Sequence, residues 1–410
     1  PYGCQKGLRR YRSRGYGHCG LYSGPRCGSG DGGGSGHCQS RCRGCRGRGG
    51  DRGCHSRPGH GIIPVSRVRA VALYSGGLDS TLAILAVMRQ GIEVKAVTFL
   101  NHFGCEISDK SSCSKDPFSA ATKFGFEVKL CHLSEKFIDI VKNPKFGHGK
   151  NMNPCMDCRI LMLKEAKEFM LMTGSEFIIT GEVIGQRPMS QRRDALDIID
   201  REAGLRGLVL RPLSAKLMKP TLAEERNIVD RELLFNFGGR TRKPQMALAR
   251  EYGLTEYPAP AGGCLLTEPN YSFRLRELLR HDPSPSLTDL HLLRLGRHFR
   301  LNQGCKVIVG RDKSENEKML ALADAGTVLL RVPGYGSPVA LVAGPITGAD
   351  LATAASLCAR YSDARGLSVV DVIVSQGGSE QVLQVAPASA GLVEELMLDM
   401  ARKSRIGLPA

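Results

Sequence analysis

The sequence predicts an α/β fold, a parallel sheet with helices on both faces, followed by a small C-terminal α+β region. Apolar strand-like runs alternate with helical runs from Val68 to about residue 213, an alternation typical of parallel sheets. The Pro/Ser-rich stretch 281–289 interrupts this pattern and predicts a boundary. We therefore expect a low-complexity segment 1–66, a first domain 67–280 and a C-terminal domain 290–410.

The predicted elements alternate in chain order. Strand-like runs rich in β-branched residues are followed by helical runs, which is the pattern of repeated β-α units. The first domain reads as strand 69–74, helix 79–90, strand 92–100, helix 116–125, strand 126–133, helix 155–173, strand 176–180, helix 189–203 and strand 207–213. Beyond residue 290, short strands surround a long helix at 348–365, and a last helix is expected at 390–402.

Composition divides the chain in two. Residues 1–60 hold 12 Lys/Arg against two acids, with 18 glycines and few large apolar residues. We expect this segment to be disordered or non-native, with an RGG-like RNA-binding tail as the alternative. The later residues are mildly basic, which is compatible with a nucleic-acid substrate. With no apolar run of about 20 residues and no signal-peptide pattern, we expect a cytoplasmic protein.

A glycine-rich turn, SGGLDS, joins the first predicted strand to the first helix. Ser75, Gly76 and Gly77 allow close approach of the backbone to a ligand, and the free N–H groups of a helix start, with Ser80 in its first turn, form an anion site. Asp79 would repel a polyphosphate unless it holds the Mg²⁺ that neutralises the phosphates. The turn therefore predicts a phosphate site, and a purely structural turn is the alternative.

Three cysteines form a second candidate site. Cys155 and Cys158 are three residues apart at the start of a predicted helix, where the positive helix end should lower thiol pKa values. Cys264 follows two glycines in a Pro/Gly-rich loop. Three such thiolates could hold an iron–sulfur cluster with one open iron, hold Zn²⁺ with a fourth ligand, or carry and resolve a persulfide. Two buried structural thiols and an incidental loop cysteine are the structural alternatives.

The SGGLDS stretch resembles the S-G-G-x-D-S signature of the PP-loop ATP pyrophosphatases, which have an adenine nucleotide alpha hydrolase-like fold. ITGEVIGQRPMSQR and LVLRPLSAK are similar to segments of the 4-thiouridine synthetase family. NPCMDCR and the later GGC resemble the three-cysteine arrangement of the iron–sulfur-dependent tRNA thiolases. The resemblance covers about residues 68 to 268.

This resemblance implies an ATP-dependent tRNA sulfurtransferase that adenylates a uridine oxygen and replaces it with sulfur. The turn would hold the pyrophosphate, with Mg²⁺ on Asp79. Cys155, Cys158 and Cys264 would be catalytic and bind a [4Fe–4S] cluster. The implied partners are tRNA and a sulfur donor, either sulfide or a persulfide-carrying protein.

The segment that follows the predicted strand 176–180 also lies at the carboxyl end of a strand, where ligands bind in such sheets. Thr180 and Gly181 are therefore expected to bind the nucleotide, together with Glu182 and Gln186. Arg211 is expected either to approach a phosphate or to pair with a carboxylate. For Arg187, Arg192 and Arg193 the alternatives are RNA phosphates and a solvated helix face.

Two other classes of function remain open in the sequence. One is a PP-loop enzyme that adenylates a small molecule, and the other is a non-catalytic RNA- or nucleotide-binding protein. Release of pyrophosphate separates the enzymes from the binding protein. The sequence also leaves open a homodimer, the tRNA position and the identity of the sulfur donor.

Overall fold

The computed structural model describes residues 68–104, 117–259 and 264–400. The predictions for residues 1–66 lie outside these ranges, as do Cys105, Cys113 and the two glycines before Cys264. Within the described part of the chain, two separate sheets form, one parallel and one antiparallel.

The first sheet contains five parallel strands in the order β3-β2-β1-β4-β5. Its strands are β1 (Arg69–Leu73), β2 (Glu93–Leu100), β3 (Glu127–His132), β4 (Phe177–Thr180) and β5 (Val209–Leu210). The central strand β1 is buried from Ala70 onwards, because its residues after Arg69 are apolar and it pairs with β2 on one side and β4 on the other. The chain changes direction across the sheet at this β1/β4 pair, where ligands bind in open α/β sheets.

Nine helices lie in the described residues up to 295. They are α1 (Leu78–Met88), α2 (Pro117–Phe124), α3 (Ser134–Lys142), α4 (Cys155–Thr173), α5 (Arg193–Glu202), α6 (Leu222–Glu225), α7 (Lys243–Glu251), α8 (Pro269–His281) and α9 (Leu287–Leu292). Short 3-10 helices occur at Ala215–Leu217, Arg231–Leu233 and Leu265–Thr267.

Alternate residues of β1 face opposite sides of the sheet, and helices cover both sides. Ala70 and Ala72 pack in one core with residues of α1, α2 and α7. Val71 and Leu73 pack in a second core with residues of α4 and α5. The period-2 alternation of an extended strand explains this division, and the predicted α/β fold with helices on both faces is confirmed.

The second sheet has six antiparallel strands in the order β11-β10-β8-β9-β7-β6. Its strands are β6 (Arg297–Arg300), β7 (Lys306–Val309), β8 (Val328–Arg331), β9 (Ala340–Ala343), β10 (Val370–Gln376) and β11 (Ser379–Val385). The helices α10 (Lys313–Leu322), α11 (Gly348–Arg360) and α12 (Ala390–Leu396) accompany it. Cys305 and Cys358 are fully buried in its core.

Some element boundaries differ from the prediction. The helix α5 begins at Arg193 rather than at residue 189, and β5 spans only two residues. The helix α3 was not predicted at all. Among the described residues, none of the helices combines the length and apolar character needed to cross a membrane, and the six cysteines found there are free thiols.

Candidate functional site

The turn between β1 and α1 is organised by hydrogen bonds within a few residues. Gly76 has a φ of 72°, in the left-handed region that glycine adopts without strain. The Ser75 amide donates to the Ser80 hydroxyl oxygen at 3.3 Å, and that hydroxyl donates to the Gly77 carbonyl at 3.0 Å. Within the described chain, no side chain caps the start of α1. Its free N–H groups therefore remain available for an anion.

The Asp79 carboxylate lies in the first turn of α1 and is largely buried. Gln186 donates to its Oδ2 atom at 3.1 Å, whereas Oδ1 is buried with no hydrogen-bond partner among the described residues. Burial raises the pKa of Asp79, and Gln186, Arg242 and Arg187 oppose this rise. A buried carboxylate oxygen without a partner is costly and indicates a missing ligand such as a cation.

Two polar residues near Asp79 were missed in the sequence. Arg242 lies just before α7 and Gln245 lies in its first turn, and both lower the pKa of Asp79. Gln245 is 1% exposed, and its amide is near enough to Asp79 to lower that pKa, although neither of its polar atoms makes a hydrogen bond of standard geometry among the described residues. The Nε atom of Arg242 is also buried without one. These groups, together with Asp79, leave unsatisfied donors and acceptors in one place.

Gly181, at the end of β4, packs directly against the turn. A Cβ atom at this position would lie 2.5 Å from the Ser80 backbone nitrogen and 2.7 Å from the Asp79 carbonyl carbon. Only glycine fits this approach. Thr180 is 2% exposed and its hydroxyl donates to Glu182 at 3.1 Å, so a contact between Thr180 and a nucleotide would have to involve its backbone.

The structure resolves the two alternatives for Arg211 in favour of carboxylates. Its guanidinium is buried, donates to Glu182 at 3.0 Å and forms two bonds of 2.8 Å to Asp200. Burial opposes ionisation of Glu182, but the charges of Arg211 and Arg159 and hydrogen bonds from Arg211 and Thr180 lower its pKa overall. Arg211 therefore stabilises the strand-end loop.

The cysteine-bearing loops are tied together by hydrogen bonds. The Met152 amide donates to the Leu266 carbonyl at 3.1 Å, and the Asn151 side chain donates to the Thr267 carbonyl at 2.8 Å. These contacts bring the start of α4 to the residues after Cys264. Cys158 and Cys264 pack against one apolar cluster, and Cys155 and Cys264 both raise the pKa of Cys158 electrostatically.

The expected lowering of the thiol pKa values is wrong for this structure. Burial raises the pKa of all three thiols, to about 12 for Cys158 and about 11 for Cys264. Desolvation of the thiolate outweighs the helix N-terminus. Among the described residues, no three or more His, Cys, Asp or Glu side chains are arranged to hold a metal ion. The metal site at the three cysteines therefore stays a prediction.

One arginine lies within electrostatic range of both candidate sites. Arg187 lowers the pKa of Asp79 and also that of Cys155. Its side chain is exposed. By contrast, Arg192 pairs with Asp194 at 3.1 Å and Arg193 donates to the Leu217 carbonyl. Of the three arginines, Arg187 is therefore the one placed to bind an anion between the two sites.

A second link joins the two sites through the helix that carries two of the cysteines. Arg159, next to Cys158 on α4, lies 3.5 Å from Glu182 in the loop after β4. Asp157, between the cysteines, accepts backbone hydrogen bonds from Lys145 and Phe146 at 3.0 and 3.2 Å. These contacts fix the start of α4 relative to the strand-end loop.

The parallel sheet, with the glycine-rich turn at the β1/β4 switch point, has the architecture expected of a PP-loop domain. Residues 65–220 match the family model described as "Thiamine biosynthesis protein (ThiI)". Residues 296–397 match a model described as "NFACT protein RNA binding domain". This second match was not predicted from the sequence.

The similarity extends to tRNA-modifying relatives. The chain is 32% identical over 173 residues to the "Probable tRNA sulfurtransferase" of Lysinibacillus sphaericus, covering 41% of each chain. It is 26% identical over 245 residues to the "tRNA-specific 2-thiouridylase MnmA 1" of Caldanaerobacter subterraneus subsp. tengcongensis, covering 56% of this chain and 64% of the relative. The chain thus spans 41% and 64% of the lengths of these relatives. The predicted resemblance to the tRNA-thiolating branch of the PP-loop superfamily is confirmed.

Among solved structures, a 4-thiouridine synthetase–RNA complex with bound ATP matches with a TM-score of 0.29 and 20% identity, covering 46% of this chain and 52% of the other. The U34-tRNA thiolase NcsA from Methanococcus maripaludis, solved with its [4Fe–4S] cluster, matches with a TM-score of 0.25 and 14% identity, covering 55% and 70%. At these TM-scores, nothing about the present site follows from either likeness.

Proposed function

We propose that the protein is a cytoplasmic, ATP-dependent tRNA sulfurtransferase. Residues 67–280 form its PP-loop domain and residues 290–410 a C-terminal domain. The observation that carries the proposal is the Asp79 carboxylate in the first turn of α1, which has a buried oxygen without a partner among the described residues. Arg187 acts electrostatically on both Asp79 and the Cys155 thiol, and we infer that activation and sulfur transfer act on one bound uridine.

In the activation step, the uridine oxygen attacks the α-phosphorus of ATP. The bond between the α-phosphorus and the bridging oxygen breaks, and pyrophosphate leaves with that electron pair. The free amides at the start of α1 and the turn residues Ser75, Gly76, Gly77 and Ser80 would hold the departing pyrophosphate. Arg187 would hold the uridine adenylate near the cysteines.

Magnesium fits the environment of Asp79. The carboxylate has one buried oxygen without a partner among the described residues, and burial raises its pKa. Asp79 would hold Mg²⁺, which when bound would neutralise phosphate charge. Arg242 and Gln245 line the same place and would donate hydrogen bonds to phosphate oxygens.

In the second step, sulfur attacks the activated carbon, the carbon–oxygen bond breaks, and AMP leaves. Cys155, Cys158 and Cys264 are soft donors whose loops are held together by backbone bonds, so their chemistry fits a [4Fe–4S] cluster. Such a cluster, when bound, would present an open iron to a sulfide from the donor. The thiols themselves would hold it, and their apolar surroundings would limit the access of water.

The C-terminal domain supplies a reason to expect an RNA substrate rather than a small molecule. Residues 296–397 match a family model that carries the words "RNA binding domain". We propose that this domain contributes to tRNA binding.

The experiment that tests the function is anaerobic incubation of the full chain with ATP, Mg²⁺, sulfide and unmodified tRNA. Digestion of the tRNA and mass spectrometry should reveal a thiouridine, and pyrophosphate should be released in step with it. Pyrophosphate release with a small molecule but not with tRNA would favour the small-molecule alternative. Release with neither would overturn the proposed enzyme.

A further inference from the structure

A surface pocket of about 400 Å³ opens at the side of the PP-loop domain that carries the cysteines. It lies between the ends of α3 and α8 and the loop before α4. Its lining includes Lys142, His148, Arg276 and Arg280, and no carboxylate. The other lining residues are Asn143 and the apolar Met152, Leu279 and Pro283, so the charged groups of the pocket are all cationic and suited to an anion.

The cations of this pocket are not used for internal pairing. On neighbouring surfaces, Lys136 and Lys145 pair with Glu165 and Glu202. The side chains of Lys142, Arg276 and Arg280 form no ion pair or hydrogen bond within the described residues, although many other cationic side chains there do. The pocket therefore retains charge that a ligand could neutralise.

Arg276 and Arg280 are four residues apart on α8 and share one helix face. Like charges at this spacing repel each other and weaken a helix. Cations in the last turn stabilise a helix end, which accounts for Lys142 and Arg280 but not for Arg276, five residues before the end of α8. An anion bound between the two arginines would remove their repulsion.

One wall of the pocket is hydrogen-bonded to the segment that follows Cys264. Met152, in its wall, donates its amide to the Leu266 carbonyl, two residues after Cys264. The helix α8 begins at Pro269, and its length from there to Arg280 is about 17 Å at 1.5 Å per residue. An extended polyanion seated in the pocket could therefore pass to the cysteines along α8.

The two parts of the chain that flank α8 differ in net charge. Residues 296–397, which match the RNA-binding family model, hold nine Lys/Arg against ten Asp/Glu. Residues 68–259, excluding the undescribed 105–116, hold 26 Lys/Arg against 20 acids. Residues 296–397 thus carry a net charge of −1 and the second range carries +6, so the first domain has the larger excess of the cations on which phosphate contacts depend.

We propose that the pocket lined by Lys142, His148, Arg276 and Arg280 binds backbone phosphates of the RNA whose base reaches the cysteine site. This inference rests on the proposed function for the identity of the RNA as tRNA. The arginines and the lysine bind the phosphates as charge-assisted donors, and His148 adds a polar wall. The pocket is separate from the turn that holds the pyrophosphate.

The test compares a double variant, Arg276→Gln with Arg280→Gln, against a matched control, Arg206→Gln with Arg226→Gln, two exposed arginines that lie outside both the pocket and the C-terminal domain. Both variants lose two positive charges. Binding of the full chain to tRNA is measured by fluorescence anisotropy at several salt concentrations. We expect the pocket variant to bind at least about tenfold more weakly, with the slope of log K against log salt reduced by roughly 1.4 to 1.8. The control should match the wild type.

Other outcomes separate the pocket proposal from the proposed function. Equal losses in the pocket and control variants, or unchanged tRNA binding by the pocket variant, would overturn the pocket as an RNA site even if the wild type thiolates tRNA. The Tm is also measured with and without inorganic phosphate. If the pocket variant loses the rise in Tm caused by phosphate but binds tRNA as the wild type does, the pocket is a site for free phosphate and the RNA proposal is overturned. If the pocket variant loses tRNA binding while the wild type forms no thionucleoside, the pocket stands and the proposed function fails.

A folding defect is excluded by two measurements on the same samples. Thermal unfolding should give similar Tm values for the two double variants, and Mg²⁺–ATP should bind both equally. Lys142→Gln alone should weaken tRNA binding less than the double variant does, because Lys142 lies on α3 and its loss leaves Arg276 and Arg280 on α8 intact. A loss of tRNA affinity smaller than that of the double variant supports the pocket, and no loss would remove Lys142 from it.

Discussion

The turn between β1 and α1 and the loops that carry the three cysteines are held together by different kinds of contact. The turn is local: Ser75, Gly77 and Ser80 hydrogen-bond to one another within six residues. The cysteine site is assembled from distant segments through bonds such as Met152 to Leu266. The turn leaves a buried carboxylate oxygen open to a ligand, whereas burial keeps the thiols protonated. The turn is therefore ready to bind a ligand, whereas the thiols must first lose their protons to become metal ligands.

Asp79→Asn should have the largest effect, because both products depend on activation. We expect pyrophosphate release and thiouridine formation to fall at least about 100-fold, since the amide cannot hold the cation. The fold should survive. The measurement is pyrophosphate release with saturating tRNA. A folded Asp79→Asn protein with wild-type release would remove the turn from the mechanism.

Asp79→Asn should also change how the thermal stability of the protein depends on pH. Because burial raises the pKa of Asp79 above 3.8, the native state binds that proton more tightly than the unfolded state. The wild type therefore loses stability as pH rises from 3.8 through the raised pKa. Without ATP, Asp79→Asn should gain Tm relative to the wild type across this acidic range. A constant difference in Tm would show that the carboxylate is not strained by burial.

Cys264→Ser should separate the two steps. Serine keeps the size of the side chain but is a poor soft ligand and carries no persulfide. We expect ATP binding and tRNA-dependent pyrophosphate release to persist while no thionucleoside forms. Cys305→Ala, in the core of the second sheet, is the matched cysteine control and should affect only Tm. Normal thiolation by Cys264→Ser would exclude the three-cysteine site.

Arg187→Ala should have an intermediate effect on the link between the sites. The arginine is exposed and makes no contact that stabilises the fold among the described residues. We expect thiolation to fall about tenfold, or ~1.4 kcal/mol, with ATP binding little changed. Arg192→Ala is the control, because Arg192 pairs with Asp194. Equal effects of the two substitutions would argue against a special position for Arg187.

Gln245→Leu should have the smallest effect on activity and the opposite effect on stability. It replaces a buried amide whose polar atoms lack partners among the described residues. Stability should increase by roughly 1 kcal/mol, while KM for ATP rises several-fold. Denaturant unfolding and steady-state kinetics check the two parts. A stabilised variant with unchanged KM would assign Gln245 to packing alone.

The sequence predicted the parallel sheet, the turn and the exact bounds of α4, because apolar periodicity and glycine spacing are local signals. It did not predict α3, whose first turn is polar, or the role of Gln245, since a lone glutamine in a helix carries no pattern. The predicted lowering of the thiol pKa values was wrong, because the burial of the thiols by α8 and its neighbours depends on tertiary packing. Boundaries such as the start of α5 depend on the same long-range contacts.

The close approach of Gly181 to the turn has a consequence for how the protein tolerates change. The end of β4 and the start of α1 touch with less clearance than one methyl group. Any shift of either element must therefore be transmitted to the other. The spacing between the turn and the loop after β4 is thus fixed by a position that carries no side chain.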